Sequence, residues 1–81
     1  MDFPTAIRTK GSTVRRLMRS TQEALRFIDT ELTAEQRSQA RWKFARELLV
    51  VAERSEKRRD LVCAHRQLRQ ALRNDLLLHE E

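Results

Sequence analysis

Arginine is the residue most able to do chemistry in this chain, and its spacing is the first informative pattern. Of the 17 cationic side chains, 14 are arginine. Arg15, Arg19 and Arg26 form one row, with Arg8 and Lys10 upstream, and Arg66, Arg69 and Arg73 form a second, preceded by Lys57, Arg58 and Arg59. Helical steps of three and four residues bring side chains to one side of a helix. The planar guanidinium fork matches a phosphate or carboxylate with two bonds, which an ammonium does not. The net charge of +5 is concentrated at the two ends of the chain, while the middle third is slightly acidic. If the two basic elements lay side by side, their rows would merge into one anion-binding face. A solvated surface gives the same pattern, with Arg19 paired to Glu23 on one helix and Arg69 and Arg73 exposed.

Arg37, Arg41 and Trp42 form a second constellation. The two arginines stand one helical turn apart, beside Ala34 and Ala45 on a predicted apolar arc, and an unpaired charge on an inward face is costly. Tryptophan and arginine are the side chains most enriched in binding hot spots. These three residues are therefore the expected contact for a protein partner. The alternative is that the first turns of their helix overhang the core and are wet, with Asp29 or Glu31 neutralising the charge.

The remaining reactive side chains are few. Cys63, His65 and His79 are the only soft metal ligands. Cys63 and His65 are two apart and point to different sides of a helix, and no spacing suits the four ligands of structural zinc. His65 falls on the shoulder of a predicted core face, where a hydrogen-bonded boundary histidine is expected, and Cys63 falls far from that face. A lone cysteine excludes an internal disulfide and fits a reducing compartment. A nucleophile needs a base held by a third group, and a single glycine excludes a glycine-rich phosphate loop. The expectation is a protein without catalytic activity, metal or cofactor.

The elements that position these residues are read from periodicity. Gly11 and Pro4 are the only glycine and proline, so no obligatory breaker follows residue 11. Val14, Leu17, Met18, Thr21, Ala24, Leu25 and Ile28 recur at helical steps after Ser12, which suits an N-cap. Phe27 falls off that face. Thr33-Ala34-Glu35-Gln36 reads as a capping box. The helix it opens has an apolar arc of about 200°, wide enough to touch two neighbours. Leu61, Ala64, Leu68, Ala71, Leu72 and Leu76 form a third face, out of phase with the second, so a break is expected within residues 55–60.

These readings give an all-α fold: a small antiparallel three-helix bundle with helices at about 13–30, 33–56 and 60–78. One domain spans residues 12–81 behind a partly ordered arm at 1–11, and the excess apolar arc of the middle helix favours a helical homodimer. No apolar run reaches the ~18 residues of a membrane span, so a cytoplasmic setting is expected. The function expected is that of a small basic regulatory or adaptor protein binding an acidic surface of a partner protein. The alternative is sequence-nonspecific binding of a nucleic-acid backbone. The scarcity of aromatic side chains argues against base stacking.

Overall fold

The structure, a computed structural model, describes residues 2–9 and 17–75. It corrects the all-α three-helix expectation. An antiparallel hairpin of β1 (Asp2–Arg8) and β2 (Leu17–Ser20) precedes four helices: α1 (Thr21–Glu31), α2 (Ala34–Ser38), α3 (Ala40–Ser55) and α4 (Arg58–Asn74).

The hairpin forms because its apolar residues alternate. Phe3, Ile7 and Thr9 are buried, whereas Asp2, Pro4, Ala6 and Arg8 are exposed, the two-residue period of a strand, interrupted at exposed Thr5. On β2, Met18 is buried between exposed Leu17 and Arg19. Ile7 pairs with Met18 and Arg8 with Leu17, and an irregularity separates this register from the Asp2–Ser20 pair. Pro4 is tolerated because each strand of a two-stranded sheet has a free edge. The expected first helix therefore starts late. Ser20, not Ser12, is its N-cap: the Ser20 hydroxyl accepts the Glu23 N–H at 3.2 Å. The Glu23 carboxylate accepts the Arg19 N–H at 3.0 Å, a reciprocal arrangement close to a capping box. Ser12 lies outside the described residues. On α1 the buried side chains are Thr21, Ala24, Phe27 and Ile28, so Phe27 belongs to the core.

The capping box at Thr33 is present, with both reciprocal bonds. The helix it opens is interrupted at Gln39, whose backbone is extended. The Ser38 hydroxyl donates to the Glu35 carbonyl at 2.6 Å, the acceptor a continuous helix would give to Gln39. The Gln39 N–H turns instead to the Gln36 carbonyl. At the far end, α3 stops at Ser55. Glu56 adopts a left-handed conformation with φ 54°, and its N–H reaches the Ala52 carbonyl at 2.9 Å. Asp60 does not cap α4. It sits in the first turn and accepts the Ser55 hydroxyl at 2.6 Å.

Helices α3 and α4 form the most extensive contact. α1 packs on α3 and β2, and β1 packs on α4. The shared core is built from Phe3, Ile7 and Met18 of the hairpin, Phe27 and Ile28 of α1, Trp42 and Leu49 of α3, and Leu68 and Leu72 of α4.

Candidate anion-binding face

The amphipathic pattern of α4 fixes which of its side chains meet solvent. Leu61, Ala64, His65, Leu68, Ala71 and Leu72 turn inward. That commits Arg66, Arg69, Gln70, Arg73 and Asn74 to the outer side, where all five are exposed. With His65 and Val62 they line an open groove of about 460 Å³. Among the described residues no carboxylate lines it, and α4 carries none between Leu61 and Asn74. Arg66 and Arg73 span about 10 Å along the axis.

His65 anchors the hairpin beside this groove. Its Nε2 lies 2.9 Å from the Thr5 carbonyl oxygen and 3.3 Å from the Thr5 hydroxyl. A carbonyl only accepts, so Nε2 carries a proton and donates it. Phe3 meets the imidazole edge-on, with centroids 5.2 Å apart. Burial holds the imidazole below its ordinary pKa; the Thr5 carbonyl opposes this, and the Arg69 charge adds to it. This is the boundary histidine the sequence indicates. Cys63, exposed on the outer side of α4, does not converge with it. His79 lies outside the described residues.

The other row of arginines does not join the groove. Arg19 stands on β2 and Arg26 on α1, both exposed, and α1 packs on α3 rather than beside α4. Arg15 lies outside the described residues. Arg19 borders a separate depression that also holds Asp2 and Glu23.

The expected protein-contact cluster is organised differently from a surface hot spot. Trp42 is completely buried, and its indole N–H donates to Oδ2 of Asp75. The Arg41 Nε donates to Oδ1 of the same carboxylate at 2.9 Å, and the Arg41 Nη2 does so as well. Asp75 is almost enclosed, with 6% of its side chain accessible, so it satisfies an indole that could not be buried otherwise. Arg41 is thereby committed within the fold. Arg37 donates to the Asp29 carbonyl at 3.0 Å, and Arg46 reaches the Asp29 carboxylate at 3.2 Å. The depression beside Arg41 also contains Glu35 and Asp75, which offset its positive charge. Adjacency in the sequence puts Arg41 beside Trp42 but gives no sign of Asp75, 33 residues from Trp42, which closes the cluster.

Two further features matter for recognition. Phe44 and Val51 of α3 are 48% and 43% exposed, on the side of the helix away from the core. On the inner side, the Thr21 hydroxyl donates to the Glu53 carboxylate, tying α1 to α3. This bond holds Glu53 below the usual carboxylate pKa. Among the described residues, no group of three metal-ligating side chains comes together and no helix is long and apolar enough to cross a membrane. Comparison with protein families, curated proteins and solved structures finds no match to this chain.

Proposed function

We propose that this chain is a non-catalytic binding protein that holds an acidic surface of another protein against the basic outer face of α4. The observation that carries the reading is the α4 groove: three arginines and two side-chain amides with no carboxylate among them. The depressions beside Arg41 and Arg19 each contain two acidic side chains, so neither concentrates positive potential in the same way. A second observation supports it. Lys57, Arg58 and Arg59 stand at the N-terminal end of α4, where the helix dipole is positive and cations are unfavourable. A placement that costs stability is expected where binding requires it.

The phosphate backbone of a nucleic acid presents the same charge. The favoured partner is protein, because Phe44 is the one strongly exposed aromatic side chain among the described residues, and single-strand binders stack bases on several. Fluorescence anisotropy with polyglutamate and with a DNA duplex of about 20 base pairs, over a salt series, separates the two readings. The expected result is polyglutamate binding that is lost in the Arg66→Glu/Arg69→Glu variant, with weaker duplex binding. Duplex binding that is tighter than polyglutamate binding and falls with a log–log salt slope of about −3 or steeper, as several phosphate contacts require, assigns the face to nucleic acid instead.

A further inference from the structure

The basic face of α4 does not end at the groove. It adjoins the solvent side of the α3–α4 pair, where two packed helical cylinders leave a shallow trough along their line of contact, and the residues flanking that trough specify the form of the partner. Asp60 and Asp75 reach α3 through Ser55 and Arg41, so they mark the edge of α4 that faces α3. Counting about 100° per residue from that edge toward solvent, Gln67, Asn74, Cys63 and Gln70 come first. Arg59 and Arg66 follow as the outer rim. The same count on α3 places Phe44, Leu48 and Val51 in one line on the flank beside α4, with Lys43 and Arg54 on its far rim. Phe44 and Val51 are exposed, and half-buried Leu48 packs against the core between them.

The trough therefore has an apolar line along one wall, amides along the other, and cations on both rims. Glu47 is the one carboxylate of the α3 rim. Such a surface complements a helix that is apolar along one edge and acidic on both shoulders, the helix-in-groove mode of recognition. α3, at 16 residues, is about 24 Å long, enough for roughly four turns of a partner.

We propose that the acidic partner binds as an amphipathic helix laid between α3 and α4. Its apolar edge covers Phe44, Leu48 and Val51. Its carboxylates meet Arg59 and Arg66 on one side and Lys43 and Arg54 on the other. The proposal rests on the reading of α4 as a face for acidic protein and adds the occupant's secondary structure and the participation of α3. A second copy of this chain fits less well. A basic surface meeting its own copy sets cation against cation.

Cys63 is exposed beside this trough and is the chain's single cysteine, so its thiol is a native reporter. The probe is a capped peptide of about 18 residues with leucines at helical steps and glutamates on both shoulders. It is expected to bind and to slow the reaction of Cys63 with a thiol reagent severalfold. The Phe44→Ala/Val51→Ala variant alters only exposed side chains and keeps its helical circular dichroism. It is expected to lose peptide affinity by about tenfold or more. Wild-type affinity in that variant overturns the proposal. If that variant is silent while Arg66→Glu/Arg69→Glu abolishes binding, the acidic-partner reading stands and the helical trough falls. If neither variant matters, both fall. A wild-type dimer in light scattering that Phe44→Glu converts to a monomer assigns the trough to a second copy, and equal protection of Cys63 by a DNA duplex assigns it to nucleic acid. Either outcome overturns the proposal.

Discussion

Replacing Asp75 by alanine tests the reading of the Trp42 cluster. One carboxylate serves two donors from the start of α3, the Trp42 indole and the Arg41 guanidinium. Its loss strands the indole N–H in a fully buried site, which costs about 1–3 kcal/mol. Arg41 is 38% accessible and rehydrates when its partner is removed, so its share is about 1 kcal/mol or less. The expected loss is about 1–4 kcal/mol, a large fraction of the ~4–12 kcal/mol available to a domain of this length. Asp75→Asn keeps one oxygen for the indole and gives up the charge, so about 1–2 kcal/mol is expected. Urea denaturation followed by intrinsic fluorescence is the assay. Trp42 is the only tryptophan and the chain has no tyrosine, so the emission reports on this site alone. In a cycle of Arg41→Ala and Asp75→Ala, the coupling should be smaller than the Asp75→Ala loss, because the indole accounts for most of it. An Asp75→Ala protein within 0.5 kcal/mol of wild type would refute the claim that this carboxylate holds the indole in place.

Three other substitutions follow from the same structure. Glu56 occupies a left-handed conformation that costs a residue with a Cβ about 1 kcal/mol, so Glu56→Gly is expected to raise stability by several tenths of a kcal/mol in thermal denaturation. His65 is held below its ordinary pKa of about 6.5 by burial, so the folded state favours the neutral ring. Its contribution is present above pH 6.5 and is lost as pH falls below that value toward the folded pKa; urea titrations from pH 7 to 5 should show the loss in wild type and a flatter profile in His65→Gln. Arg58→Glu replaces a cation with an anion at the positive end of α4, and should raise stability by about 0.5–1 kcal/mol while weakening polyglutamate binding.

Much of the helical half of the fold is legible from residue chemistry. The Thr33 to Gln36 spacing gives a helix start directly, because a cap is a local device. The break between α3 and α4 follows from the phase of Leu61, Ala64 and Leu68 against that of the preceding helix, since one straight helix would carry two opposed apolar faces. The hairpin is harder to see. Val14, Leu17 and Met18 fit a 3.6-residue count by coincidence, and on a short segment only the partner strand shows that Leu17 and Met18 face opposite ways. The Ser20 to Glu23 spacing carries the same capping signal as Thr33, and it excludes Leu17 and Met18 from α1. The interruption at Gln39 rests on one serine hydroxyl taking a backbone acceptor, a contest that periodicity does not register. At the site, Arg66, Arg69 and Arg73 follow from helical spacing alone. The separation of Arg26 from them does not, because it depends on α3 standing between α1 and α4. The burial of Trp42 depends on Asp75, a contact between the first turn of one helix and the end of the next.

The packing of β1 on α4 has a consequence for how the chain is made. Among the described elements, β1 is synthesised well before α4 and yet rests on it, through Phe3, Thr5 and His65. Until α4 has been synthesised, Phe3 and Ile7 have no helix to cover them, and the hairpin alone is too small to persist in water. The hairpin must therefore wait for α4 before it takes its native place, whatever the helices between them have already formed.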